Sequence, residues 1–345
     1  MALIGVKIPL SLPMKISFFS TQPYDKEFFS KFNNDFGFEL LFFDTPLNEQ
    51  TVSLIDEVTA VCVFVNDKIN AKVIEQLAAK KVKIIALRCA GFNNIDLDAA
   101  KQHNIKVCRV PAYSPEAVAE HAVAMLLTLN RKTHKAYNRV REQNFSLDGL
   151  LGFNLHGKTI GVVGVGNIGK AFCKIMLGFG CKVIAYDLIA NKDVEASGVV
   201  YLPFLELLQQ ADIISLHCPL NEQTQHLINK ETLAFTKKGV VIINTSRGAL
   251  IDTKAAIAAL KSKRISYMGI DVYEQEEKIF FRDLSSTIIE DDTIQRLMSF
   301  PNVLVTAHQA FFTEDALEQI ATTTLNNVQE LSKTGNLDNK AALLV

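Results

Sequence analysis

Gly164, Gly166, Gly169 and Asp187 are spaced to hold the phosphates and one ribose of a dinucleotide. Ile160, Val162 and Val163 form a short apolar run that suits a buried parallel strand, and AFCKIMLGFG after the glycines reads as a helix. In that setting the first glycine allows a tight turn. The second lets a pyrophosphate approach the backbone, and the third lets helix pack on strand. N–H groups at the helix start supply the phosphate contacts. Asp187 closes the next strand, where a carboxylate can hold a ribose 2′-OH. It would repel a 2′-phosphate, and Leu188-Ile189-Ala190-Asn191 offers no arginine to receive one. The expected cofactor is therefore NAD rather than NADP.

A second set of residues could do chemistry on a keto acid. Arg247 follows the strand-like run VVIINTS, and His308 follows NVLVTA. The arginine fork matches a carboxylate in bidentate fashion, and histidine donates and accepts a proton near neutral pH. Glu274, Glu276 and Glu277 lie in DVYEQEE, after a strand ending at Asp271. A carboxylate beside His308 would favour the charged imidazole and orient the ring. Taken singly, Arg247 reads equally as a surface arginine and His308 as a structural histidine. Composition does not choose among the three glutamates.

These residues need elements to position them. KISFFS, ELLFFDT, AVCVFV, KIIALRC and KVCRVP read as strands, with helices at DKEFFSKFNNDF, NAKVIEQLAAKK and DLDAAKQHN between them. From Pro115 the stretch PEAVAEHAVAMLLTLNRKTHKAYNRVREQ reads as one long helix. A second series follows Ile160, with strands KVIAYD, DIISLHC, VVIINTS, ISYMGID and NVLVTA, and the tail from Thr313 is again helical. The fold class is α/β, with two doubly wound parallel-sheet domains. The glycine motif lies in the second, so the first is expected to hold substrate, with the cleft between them as the default site. The basic cluster Arg131, Lys132, Lys135, Arg139 and Arg141 reads as a solvated helix face or a subunit contact.

The chain has 345 residues and is 48% hydrophobic, enough for two cores. Its net charge of −1 leaves no electrostatic footprint for nucleic acid or an acidic membrane. No apolar stretch approaches the ~18–20 residues of a membrane span. Six cysteines show neither C-x-x-C nor metal-ligand spacing and read as reduced core residues, so the expected location is cytoplasmic and no metal is expected. Residues 1–13, MALIGVKIPLSLP, read as a leader or tag-like segment without a part in the fold.

The segments LRCAGFNNID, VPAYSPEAVAEHA, GVVGVGNIG, LHCPL, INTSRGALID, GIDVYEQEE and TAHQAFFTEDAL resemble, in order, those of the D-isomer-specific 2-hydroxyacid dehydrogenases. Within that family KISFFSTQPYDKEFF, FVND, EKIFFRDLSSTIIEDDTIQRLMSFPNV and HQAFFT are most similar to the fermentative D-lactate dehydrogenase branch. The resemblance implies a Rossmann NAD-binding domain over 113–311, inserted in a flavodoxin-like substrate domain over 14–112 and 312–345. It implies reversible NADH-dependent reduction of pyruvate, or of a larger 2-keto acid, by a homo-oligomer (dimer or tetramer). An NAD-sensing corepressor on the same fold is the alternative of another class. The catalytic residues carried over are Arg247, Glu276 and His308. Substrate contacts fall on Phe64, Ala90, Gly91, Tyr113 and Phe311, together with Arg247 and His308. Cofactor contacts beyond the glycines and Asp187 fall on Asn167, Ile168, Cys218, Pro219, Thr245 and Asp271.

Overall fold

Short apolar runs alternate with amphipathic stretches, and each run becomes a strand of a parallel sheet. The computed structural model describes residues 13–345, so residues 1–12 of the expected leader lie outside the described residues. The chain divides into two units. One comprises the described residues up to Tyr113 together with Thr313–Val345, and the other is Ser114–Phe312.

The first unit holds strands β1 (Lys15–Phe18), β2 (Glu39–Phe42), β3 (Ala60–Val63), β4 (Ile84–Leu87) and β5 (Lys106–Arg109). They pair in parallel in the order β2-β1-β3-β4-β5, the flavodoxin-like order. Every residue of β3 and β4 is buried, which is why they read as unbroken apolar runs. The C-terminal helix, Glu314–Thr334, starts at Thr313, whose hydroxyl accepts the Ala316 N–H, and stops at left-handed Gly335.

The second unit holds β6 (Thr159–Val163), β7 (Lys182–Tyr186), β8 (Val200–Tyr201), β9 (Ile213–Leu216), β10 (Val240–Asn244), β11 (Ile265–Ile270) and β12 (Val303–Val305). All seven run parallel in the order β12-β11-β10-β9-β6-β7-β8. Alternate residues of a strand feed opposite faces. Ile242 of β10 packs with Leu207, Leu233, Ala256 and Leu297, whereas Val241 and Ile243 pack with Leu126, Phe172 and Met176. The chain leaves β6 towards β7 on one side and returns to β9 on the other. That reversal makes the carboxyl ends of β6 and β9 the switch point of the sheet, the usual ligand position in such folds.

The single helix expected from Pro115 is two helices, Pro115–Arg131 and Thr133–Arg141, separated by left-handed Lys132. The break follows the end of the apolar spacing. The first helix buries residues up to Leu129 and Asn130, and the second buries none. Among the described residues no helix is long and apolar enough to cross a membrane, and no cluster of three or more histidine, cysteine, aspartate or glutamate side chains is arranged to hold a metal.

Candidate active site

The glycine turn sits at the sheet's reversal point. Gly164 follows β6 with φ +89°, and a Cβ there would fall 2.5 Å from the Cys218 backbone nitrogen. A side chain at Gly169 would fall 2.1 Å from the Gly164 carbonyl oxygen, so the helix Asn167–Gly178 can approach the turn only through glycine. Gly166 differs from both, because a Cβ there would project into open space. It is the N-cap of the helix and makes no side-chain cap bond, so the first helical N–H groups have no side chain competing for them. Asn167 beside it is exposed, and Ile168 packs on the core. Open room at Gly166 and an uncapped helix start together fit a pyrophosphate.

Asp187 follows β7 and braces this turn from the side. Its Oδ2 accepts the Val165 N–H at 2.6 Å, and its Oδ1 accepts the Leu188 N–H at 2.7 Å. Each carboxylate oxygen has a second lone pair, so a ribose hydroxyl can still be accepted. Beyond β9, the carbonyl of Cys218 takes the Ser246 hydroxyl at 2.7 Å, and that of Pro219 takes the Thr224 hydroxyl at 2.7 Å. Burial pushes the Cys218 thiol up to about 11, so it is not a nucleophile near neutral pH. The Thr245 hydroxyl is buried without a hydrogen-bond partner. Such a group costs about 1–3 kcal/mol when left unsatisfied, which fits a position completed by a polar group of the cofactor.

Two histidines stand past strand ends in this unit, in different states. His217 packs against the Phe172 ring at 4.9 Å, with Nε2 2.8 Å from the Ser215 hydroxyl. Burial pushes it down to about 3, so it is neutral at working pH and carries no proton to give. His308 instead places Nδ1 2.8 Å from Glu276 Oε1, and Glu276 Oε2 accepts the Tyr273 N–H at 3.0 Å. The carboxylate thus fixes one ring nitrogen, Nδ1, and the other, Nε2, could donate or accept a proton.

The backbone around His308 is built on Asp271. His308 is left-handed, with φ 52°, and its N–H donates to the Asp271 carbonyl at 2.7 Å. The Asp271 carboxylate accepts Thr306 Oγ1 at 2.5 Å and the N–H groups of Gln309 and Ala310, both at 2.9 Å. Burial alone would raise this carboxyl, but bonds from His121, Thr306, Ala310 and Gln309 outweigh it and hold it below the usual range. Sequence reading placed Asp271 among the cofactor contacts. In the structure its oxygens are engaged within the turn that carries His308. It did not single out His121, whose Nε2 lies 3.2 Å from Thr306 Oγ1 and 3.4 Å from Asp271 Oδ1. Nothing local marks a histidine on a helix 150 residues from its partner as such a contact.

Arg247 follows β10, which ends in fully buried Asn244. The Asn244 side chain accepts the Ser246 N–H at 3.0 Å and donates to the Arg247 carbonyl at 2.9 Å, pinning the turn from inside. One guanidinium nitrogen, Nη1, donates to the Ser246 carbonyl at 2.7 Å. Next to it a Cβ on Gly248 would fall 2.1 Å from the Tyr273 carbonyl carbon and 2.4 Å from the Glu274 nitrogen. Glycine therefore lets the Arg247 loop lie directly on the loop that carries Glu276. Phe311, 6% exposed, stands edge-on to Phe312 three residues after His308.

The remaining expected substrate contacts belong to the first unit. Phe64 N–H donates to Asp67 Oδ2 at 2.6 Å, its carbonyl accepts Asn94 Nδ2 at 2.9 Å, and its ring lies 4.9 Å from the Arg88 guanidinium carbon. Arg88 is itself buried and bonded to Asp25. The Ala90 carbonyl takes Arg109 Nη1 at 2.8 Å, and the Cys89 thiol lies 3.3 Å from the Gly91 carbonyl. Tyr113 is half-buried at the end of this unit's first segment.

Residues 123–310 match the family model of the D-isomer specific 2-hydroxyacid dehydrogenase NAD binding domain. The chain is 51% identical over 320 residues to D-lactate dehydrogenase of Escherichia coli, covering 93% of this chain and 97% of that one. The apo structure of D-lactate dehydrogenase from Escherichia coli superimposes with a TM-score of 0.88 at 49% identity, covering 96% and 100% of the two chains. D-lactate dehydrogenase from Aquifex aeolicus, complexed with NAD and lactic acid, superimposes with a TM-score of 0.84 at 35% identity, covering 96% and 99%.

Proposed function

This chain belongs to the D-isomer-specific 2-hydroxyacid dehydrogenase family, an NAD-dependent oxidoreductase fold, and from that premise we propose that it interconverts pyruvate and D-lactate. The observation that supports this reading most is the 2.8 Å contact between His308 Nδ1 and Glu276 Oε1, beside a loop that begins with Arg247. Arg247 binds the substrate carboxylate through its planar fork. His308, oriented through Nδ1 by Glu276, gives a proton from Nε2 to the keto oxygen as negative charge develops there. In the reverse direction the same nitrogen takes the proton from the hydroxyl. Gly164, Gly166, Asn167, Ile168 and Gly169 would hold the phosphates of NADH, Asp187 its ribose, and Cys218, Pro219, Thr245 and Asp271 its far end, and the bound cofactor would supply the hydride for the keto carbon. Phe64, Ala90, Gly91, Tyr113 and Phe311 are the remaining substrate contacts of this reading, with Phe64 and Phe311 crowding whatever lies beyond C3.

Steady-state kinetics with pyruvate, 2-ketobutyrate, 2-ketoisocaproate and phenylpyruvate test the substrate. Pyruvate is expected to have the highest kcat/KM, and Phe64→Ala to narrow its lead over 2-ketoisocaproate. A methylene in such a pocket discriminates by about 1–3 kcal/mol, so the margin is modest. A wild-type preference for the branched acid overturns the lactate reading and leaves the family unaffected.

The oligomer belongs to the same proposal. Tyr137, Phe145, Leu147 and Leu151 are 62–88% exposed within a short stretch of the second unit, the composition of a surface that a second copy would cover. All six cysteines are free and buried, in keeping with a reducing, cytoplasmic location.

A further inference from the structure

Glu274 takes no part in the chemistry above, yet it forms a second histidine–carboxylate pair. Its Oε1 lies 2.7 Å from His226 Nε2, and its Oε2 accepts the Thr253 backbone N–H at 3.1 Å and the Thr253 hydroxyl. His226 is left-handed, with φ 51°, and its own N–H donates to the Ala249 carbonyl at 2.7 Å. The segments then run side by side. Ile228 N–H donates to the Leu250 carbonyl at 3.0 Å, and Asp252 N–H donates to the Ile228 carbonyl at 2.8 Å. Residues 247–253 are therefore bound by His226 in the middle and by Glu274 at their end, and they begin with Arg247. One residue before Glu274, the Tyr273 N–H holds Glu276 Oε2. Two consecutive residues thus touch both the partner of His308 and the anchor of the Arg247 loop.

We propose that His226, Glu274 and Thr253 are positioning residues whose hydrogen bonds fix the loop carrying Arg247 against the loop carrying Glu276, setting where the guanidinium stands relative to His308. The proposal rests on Arg247 holding the substrate carboxylate. Close packing at Gly248 fixes how near the two loops come. The bonds to Glu274 fix how far one can slide along the other. A bidentate fork tolerates little sliding, since binding groups lose effect when displaced by a fraction of an ångström. Arg247 grips the carboxylate in the ground state and the transition state alike, so loosening it weakens binding more than turnover. His308 and Glu276 keep their own contacts with Asp271 and Tyr273.

The test uses the whole chain with NADH and pyruvate, comparing Thr253→Val, Thr253→Ser, His226→Gln and Arg247→Gln. Valine matches the buried threonine in shape and removes only the hydroxyl, so this variant is expected to fold. Thr253→Val and His226→Gln should raise the KM for pyruvate about 3- to 10-fold, the effect of one misplaced hydrogen-bonding group. Their kcat should stay within about twofold and their KM for NADH unchanged, and Thr253→Ser should restore the pyruvate KM. If Arg247→Gln raises the pyruvate KM while Thr253→Val and His226→Gln do not, the positioning role is overturned. A fall in active enzyme at constant KM, tracking thermal stability, also overturns it. An unchanged pyruvate KM in Arg247→Gln removes the reading beneath the proposal, and the proposal with it.

Discussion

The backbone N–H of His308 donates to the backbone carbonyl of Asp271 at 2.7 Å, so the residue proposed to transfer the proton sits in a left-handed turn wrapped on a buried carboxylate. A non-glycine residue in that conformation costs on the order of 1–3 kcal/mol, which the bonds from Thr306, Gln309 and Ala310 to the Asp271 side chain offset. Asp271→Asn would turn an NH2 group towards either the Ala310 N–H or the Gln309 N–H. That donor-on-donor contact should cost about 1–3 kcal/mol in denaturant unfolding of the cofactor-free protein. An unchanged midpoint and slope would show that the carboxylate does not hold the turn. The Asp271 carboxyl is held below its usual range, so its contribution is present above the unfolded-state value and fades as pH falls towards the lower folded one.

His217 produces an acid sensitivity of its own. Burial pushes this ring down to about 3, whereas the unfolded chain takes up the proton near its ordinary value. The unfolded state therefore binds more protons between roughly pH 6.5 and the folded value, and stability falls as pH drops through that window. One such group contributes a slope of up to about 1.4 kcal/mol per pH unit. Unfolding free energy measured between pH 6 and pH 4 should lose that share of its slope in His217→Gln. An identical slope in the variant would mean that water reaches the ring.

Asp187 should enforce NADH over NADPH. Like charges brought together at a binding surface cost several kcal/mol, so the wild-type ratio of kcat/KM values should be on the order of 100 or more. Asp187→Ala should shrink that ratio. It should also raise the KM for NADH, because the carboxylate braces the glycine turn through Val165. Equal kcat/KM with the two cofactors in the unmutated protein would contradict the charge argument.

What could be read in advance followed from the distance over which each constraint acts. Strands β3, β4 and β10 are buried along their length and announced themselves as apolar runs. Strand β8, two residues long and partly exposed, gave no signal. Lysine and arginine are good helix formers, so the sequence reads as helix straight through Lys132, where the structure breaks it. The glycines were legible because their spacing, between a strand and a helix, lies within six consecutive residues. The glutamates were not, because their partners come from elsewhere in the chain. Glu276 meets His308 32 residues away, and Glu274 meets His226 48 residues away. Spacing within DVYEQEE carries neither pairing, and the choice of Glu276 came from family resemblance.

The proposed proton transfer depends most on the bond between Glu276 and His308, and the pH profile of pyruvate reduction tests it directly. Pyruvate reduction takes its proton from the imidazolium, and a carboxylate within hydrogen-bond reach of a histidine favours that form. In Glu276→Gln the alkaline limb of kcat/KM should move to lower pH. In Glu274→Gln, whose carboxylate faces His226 and Thr253, the limb should stay where it is. A profile left unmoved by Glu276→Gln but shifted by Glu274→Gln would contradict the account.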